Sequence, residues 1–296
     1  MESINELLGR GFSLWRDNLN LCFPHLLGFF FSMATLMAGL LAILFSGLIP
    51  LEGFNETILQ DMQNTQDVQM LSDQIERYLA GLQGSDLLQI FLAALVVFVL
   101  VSLVDAFFAS GAIGMARQAL EKGRSDTSAM WSAGRKHFLG MFLAQLLMTF
   151  IILMGMILLL PLLASELKSP SFLAVALVLI AIFYALGLTV IMATMPYALV
   201  LEDLRPVQAL LASIDFFRYN KFDVAVLWLV VAALSIGLQM VGGSLSSGDP
   251  GQGQPISAIT GMISLLVLAP LSNLWWTRLY MSRKGMLKQD EMEEIW

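Results

Sequence analysis

The chain has 296 residues, of which 57% are hydrophobic and only 13% charged, and its formal net charge is −7. With a mean hydropathy of +0.76 it lies far from soluble domains, where about a quarter of residues are charged, so the composition excludes an ordinary soluble domain and indicates an integral membrane protein. One cysteine, Cys22, and two histidines, His25 and His137, exclude an internal disulfide and a cysteine-based metal cluster.

The first twenty residues predict an amphipathic helix. Ser3-Ile4-Asn5-Glu6 has the form of a capping box, and Ile4, Leu7, Leu8 and Trp15 share a face ahead of Arg16. A first apolar span follows over 21–49. It is too long for a signal-peptide core and lacks a small-x-small cleavage site, so it reads as retained. Cys22, beside the membrane, reads as a small apolar side chain, with acylation as the alternative.

Residues 50–86 carry seven carboxylates, Glu52, Glu56, Asp61, Asp67, Asp73, Glu76 and Asp86, against Arg77 alone. Such a surface repels phosphate backbones, so no nucleic-acid partner is expected there. Ile58, Leu59 and Met62, then Leu71, Ile75, Tyr78, Leu79 and Leu82, give two helical stripes, suiting a helical outer loop that caps the bundle or docks a protein partner. Asn55-Glu56-Thr57 matches the glycosylation triplet, and Asn55 equally suits a helix cap.

The second span, 87–112, contains Asp105. A lipid-facing carboxylate inside a membrane costs on the order of 2 kcal/mol or more, so Asp105 should face the bundle, be protonated or find a partner. Gln145, Asn273, Thr189 and Thr194 offer hydrogen bonds; ion or proton coupling is the functional alternative, and snorkelling to the boundary the third. Residues 128–138 place Met130, Trp131, Arg135 and Lys136 before the third span, 138–164.

The fourth span, 172–201, carries no charge and then stops on Glu202 and Asp203. Pro206 suits the first turn of a new helix. Val207, Leu210, Leu211, Ile214 and Phe217 form an apolar stripe, with Gln208, Ser213, Asp215 and Arg218 facing away, the pattern of a helix lying among headgroups, with a cytosolic helix packed on the bundle as the alternative. A fifth span is expected at 224–241, a glycine-rich linker at 242–257, and a sixth span at 258–276. Asn273, Trp275, Trp276 and Arg278 read as the anchor at its end, and a tail occupies 277–296.

Each span is near or above the ~20 residues needed to cross a ~30 Å hydrocarbon core, and no period-two alternation suggests a barrel. Fourteen of the sixteen lysines and arginines fall on one side of this arrangement, so the positive-inside rule places both termini in the cytoplasm of a cell-membrane protein. Trp15, Arg16, Trp131, Arg135, Phe217 and Arg218 are the expected interfacial anchors, joined by Trp275 and Trp276. Arg16, Arg135 and Arg218 align as the starts of three hairpins, each an interfacial helix, an outward span, an outer loop and a returning span. The fold class is therefore all-α: a polytopic bundle of about six spans with interfacial helices.

The stretch MPYALVLEDLRPVQALLASIDFFRYNKF, residues 195–222, combines a proline inside a span, an acidic pair at its exit, an alanine-rich amphipathic helix with Ser213, and an aromatic-basic start to the next span. It resembles the membrane domain fused to some bacterial glycerophosphodiester phosphodiesterases, and related stand-alone archaeal and bacterial membrane proteins. In topology the resemblance covers most of the chain. It implies a multi-pass membrane domain and carries over no catalytic residue, since the chemistry of the fused enzymes belongs to a separate soluble barrel.

The sequence shows no P-loop, G-x-S-x-G, H-E-x-x-H or metal-ligand spacing, so neither enzyme activity nor cofactor is expected. His25 and His137 suit boundary positions better than catalytic ones. The lipid bilayer is the first partner, with a protein partner possible at the acidic loop or the tail. Two functional classes remain: a membrane scaffold or accessory subunit, and a small-solute or lipid transporter built around Asp105, Gln145 and Asn273.

Overall fold

The computed structural model describes residues 2–46, 84–166, 172–246 and 253–287. The stripes and triplet expected within 50–83, the middle of the 242–257 stretch and the tail beyond 287 lie outside the described residues.

Every element among the described residues is helical. In chain order they are α1 (Ile4–Asp17), a 3-10 turn (Leu19–Cys22), α2 (Phe23–Phe45), α3 (Gly84–Lys122), α4 (Thr127–Glu166), α5 (Phe172–Ile191), α6 (Met195–Leu201), α7 (Pro206–Tyr219), α8 (Lys221–Ser246), α9 (Gly253–Ile263), a π-helical stretch (Ser264–Leu268) and α10 (Ala269–Arg283). Six helical segments are long and apolar enough to cross a membrane: Leu19–Phe45, Leu87–Lys122, Thr127–Ile157, Val175–Leu201, Lys221–Gly243 and Ala258–Arg283. The chain is a multi-pass membrane protein with an all-α, polytopic architecture.

Two compact units are present. One comprises residues 1–29 with 105–296, the other residues 30–104. In the smaller unit, α2 and α3 touch where Gly39 meets Val97. A Cβ added to Gly39 would stand 2.5 Å from a Val97 methyl, so only glycine allows that approach. Side chains along these spans stay exposed in the protein alone, among them Phe30, Phe31, Phe91 and Phe98. They form the surface that hydrocarbon covers.

In the larger unit, the third span does not begin at residue 138 behind a separate interfacial helix. Helix α4 runs unbroken for 40 residues from Thr127, about 60 Å at ~1.5 Å per residue, because no proline or left-handed glycine interrupts 127–138. Of the three segments expected to form separate helices ahead of a span, two do so, α1 and α7, while 128–138 is the start of α4. The 113–137 segment is a helical hairpin, whose turn is made by Gly123 at φ +71°. Small residues bring its arms together: a Cβ on Gly114 would lie 2.3 Å from Ala133 Cβ, and one on Gly111 would lie 2.7 Å from Met130 Cγ. Asp126 ends the turn by accepting from Ser128 N, while its own N–H donates to Gln118 Oε1.

The fourth span breaks after Ile191, at a turn that precedes Pro196. Proline cannot donate to the Met192 carbonyl, which is taken by Met195 N instead. Ser213 of α7 donates to the Ile191 carbonyl at 2.8 Å and lies 2.9 Å from the Thr194 hydroxyl, which completes the pair as donor. A neighbouring helix thus satisfies the polar groups freed at the kink. At the far end of α6, Leu204 N bonds the Leu199 carbonyl and Asp203 takes φ 56°, a Schellman ending with aspartate where glycine is usual.

The faces of α1 and α7 that meet the protein are not their stripes of bulky apolar side chains. Helix α1 buries Leu7, Gly11 and Leu14, continued by Asn18, and packs on α10. Helix α7 buries Ala209, Ser213 and Phe216, while Val207 and Leu211 stand exposed. Gly11, Ala209 and Ser213 stand among the larger side chains in these contacts, because close backbone approach at small residues gains dispersion contacts that bulky side chains would prevent.

Candidate functional site

The buried polar groups collect at the basic end of the larger unit. Glu2, just ahead of α1, reaches Arg278 of α10 with a two-pronged contact: Nη2 donates to Oε1 at 2.8 Å and Nε to Oε2 at 3.1 Å. Both side chains are about 95% covered, at 5% and 4% exposure. Arg10 lies 3.6 Å from the same carboxylate, and Arg283 Nη2 donates to the Glu2 carbonyl. Arg283 also donates from Nε to Asp223 at the start of α8, at 2.6 Å. Charge-assisted forks of this kind fix geometry as well as charge, and the partner left behind on removing one member is stranded without compensation.

Glu202 and Asp203 divide their work. Glu202 accepts from the Tyr280 hydroxyl at 2.5 Å and from Lys284 at 2.9 Å, tying the fourth span to the last helix. Asp203 turns the other way, accepting from Lys136 at 2.6 Å with His137 Nε2 at 3.2 Å, tying it to α4. Burial pushes the Glu202 carboxyl up, but the bonds from Tyr280 and Lys284 outweigh it and hold it below its ordinary value. The Lys136 hydrogen bond holds Asp203 below its ordinary value in the same way. The two carboxylates at the end of the oily run are a clamp between helices that local sequence does not connect.

Aromatic packing and asparagines complete the end. Tyr280, fully buried, stacks on Phe216 of α7 at 4.8 Å between centroids, and Trp276 stacks on Tyr197 of α6 at 6.3 Å. Trp275 Nε1 donates to the Leu8 carbonyl at 3.1 Å, with its ring against Gly11. Asn18 donates to the Gly123 carbonyl and accepts from Ser125 N, both at 3.0 Å, while Asn20 exchanges bonds with Ser125. Both asparagines hold the α3–α4 turn against the end of α1.

The expected residues fall out as follows. Trp275 and Trp276 are not boundary anchors: they are buried, because α1 and α6 cover the face of α10 that carries them. Arg278 is buried in the Glu2 pair rather than snorkelling outward. Trp15 is half-buried and tilted against Phe12, and Phe217 is half-buried. Arg16, Trp131, Arg135 and Arg218 are exposed, with Trp131 tilted on Phe107 at 5.4 Å between centroids. Asp105 is exposed on α3, while Gln145 and Asn273 are half-buried, so none of the three belongs to the buried polar set. That set is Asn18, Ser110, Thr194, Ser213, Thr277 and Arg278. Cys22 donates its thiol to the Leu266 carbonyl in the π-helical stretch, and His25 Nε2 is buried with no hydrogen-bond partner.

A second polar feature lies between α8 and α9. Ser235, Gln239, Thr260 and Ser264, with Gly242, Gly243 and Gly261, line a cleft of about 340 Å³ next to the π-helical stretch. Comparison of the chain with protein-family models, with curated proteins and with solved structures gives no match.

Proposed function

We propose that the protein is a membrane scaffold or accessory subunit whose basic end, in the cytoplasm, is a fixed platform for other components of the membrane. The observation that carries this reading is the clamp. Glu2, Glu202, Asp203 and Asp223 bind α1, α6 and α8 to α4 and α10, so the end holds one arrangement while exposed Trp131, Phe138, Val207, Tyr219 and Phe222 face outward. Alternating-access carriers need such contacts to open and close. By sequence, fourteen of the sixteen basic residues fall in the segments on this side of the six spans, which supports cytoplasmic termini. Kinship with the membrane domains of glycerophosphodiester phosphodiesterases, carried by residues 195–222, fits a domain that positions a partner rather than reacting itself.

Purification in mild detergent tests the reading: a stoichiometric partner should co-purify with the parent chain and be lost when Tyr219 and Phe222 are changed to alanine or the tail after 287 is removed. A chain that always purifies alone contradicts it. A small-solute or lipid transporter is the second reading, favoured by the polar cleft beside a π-helical break, features shared with discontinuous transport helices. Flux in proteoliposomes separates the two: Gln239→Ala lowers flux in a transporter using that cleft, and Asp105→Asn lowers it in one coupled through Asp105. Absence of flux from the parent chain removes the transporter.

A further inference from the structure

Apart from Arg16, Arg117 and Arg218, which pair with acids of their own helices, the described cations of the basic end fall into two sets. Arg10, Lys136, Arg278, Arg283 and Lys284 are spent on the clamp. Lys122, Arg124, Arg135, Arg205 and Lys221 are exposed and form no ion pair among the described residues. Arg135 of the second set lines a shallow, open depression.

That depression runs along the first turns of α4, about 590 Å³ in volume, and is lined by Ser128, Trp131, Ser132, Arg135 and Lys136. The spacing i, i+3, i+4, i+7 and i+8 puts all five on one helix face. Trp131 is held in place by its contact with Phe107. Lys136 has given one donor direction to Asp203 and keeps others. The Arg135 guanidinium is a five-donor fork that matches a phosphate oxygen pair. The nearby acids are already engaged. Asp126 accepts from Ser128 N, Ser128 Oγ and Thr127 Oγ1, and Asp203 is shared by Lys136 and His137. One turn further along α4, Phe138 and Leu139 are exposed and apolar.

Hydroxyl, cation and indole in one groove, with bare hydrocarbon surface a turn deeper, match the order of groups in a phospholipid. We propose that this groove binds the phosphate of an anionic phospholipid, with Arg135 and Ser132 on the phosphate oxygens and the acyl chains along Phe138 and Leu139. A soluble phosphate compound has no use for the apolar turn, which is why the lipid is the assigned occupant. The site rests on the reading of the basic end as a membrane-facing surface.

The test uses the full chain in phosphatidylcholine nanodiscs, titrated with phosphatidylglycerol carrying brominated acyl chains, which quench nearby indoles. The readout is the quenching that disappears in Trp131→Phe. Brominated phosphatidylglycerol should half-saturate this signal at a lower mole fraction than brominated phosphatidylcholine. Arg135→Gln should raise that fraction about fivefold, the worth of one cation at an anionic surface, and Arg135→Lys should recover part of it. Lys221→Gln, an exposed cation outside the groove, should leave it unchanged. Arg135 is exposed, so an unaltered melting profile of Arg135→Gln confirms that any effect is local. Equal half-saturation by the two lipids, or equal effects of Arg135→Gln and Lys221→Gln, overturns the proposal. Displacement by millimolar inorganic phosphate overturns the lipid assignment in favour of a soluble ligand. Quenching of Trp131 by neither lipid overturns the membrane-facing reading itself, whereas lipid selectivity survives if no protein partner ever co-purifies.

Discussion

Two glycines of α1, two residues apart, separate a docked helix from one that floats among headgroups. Nothing lies within 4 Å of a Cβ added to Gly9, whereas one added to Gly11 would stand 2.4 Å from Trp275 Cδ1 and 2.7 Å from Nε1. On a free interfacial helix, either glycine changed to alanine gains about 0.5–1 kcal/mol through backbone entropy. In the docked helix only Gly9→Ala keeps that gain. Gly11→Ala must push the Trp275 indole aside, an overpacking cost of ~1–3 kcal/mol, and endangers the bond from Nε1 to the Leu8 carbonyl, worth ~0.5–1.5 kcal/mol. Set against the helix gain, the net change is a loss of about 1–3 kcal/mol. Equilibrium unfolding in mixed micelles, followed by circular dichroism, should therefore move the two variants in opposite directions. If both stabilise alike, α1 is not seated on α10 and the clamp through Glu2 fails with it.

Ser213→Ala removes the hydroxyl that caps the kinked fourth span and leaves the Ile191 carbonyl and Thr194 hydroxyl to share what remains. The expected loss is about 1–2 kcal/mol, and a double-mutant cycle with Thr194→Val should show coupling above ~0.5 kcal/mol; additivity would contradict the pair. Glu202 and Asp203 both titrate lower in the folded chain than in the unfolded one. Their contribution is therefore whole above roughly pH 4, the unfolded carboxyl range, and is lost as the pH falls through their lowered values. Unfolding measured from pH 8 to pH 3 should show a plateau and then a fall below about pH 4 that is shallower in Glu202→Gln. Asp203 is more than half exposed, so Asp203→Asn should change the profile less than Glu202→Gln does.

What the sequence makes legible is what lipid and local chemistry dictate. Six apolar runs appear as six spans, the Ser3–Glu6 capping box forms, and Pro206 opens α7. The inner faces were not legible. In a soluble protein the apolar side of a helix is its buried side, but in lipid apolarity does not separate the two. Val207 and Leu211 thus point out while Ala209 and Ser213 point in. The small residues Gly11, Gly111 and Gly114 were the available signal for close contact, and periodicity of bulky side chains hid it. Trp275 and Trp276 misled for a related reason: tryptophan beside arginine at the end of a span marks a membrane boundary only when no helix covers it. Glu2 lies 276 residues from Arg278, and Glu202 lies 78 from Tyr280, so no window of sequence contains either pair.

Hydrogen exchange of the α1 amides in lipid nanodiscs tests the locked end most directly. A helix held by Glu2, Trp275 and Asn18 should exchange as slowly as α10 and speed up together with it when Glu2 is changed to alanine. Amides of α1 that exchange within seconds while α10 remains protected would show a loose surface helix, and the platform account would not stand.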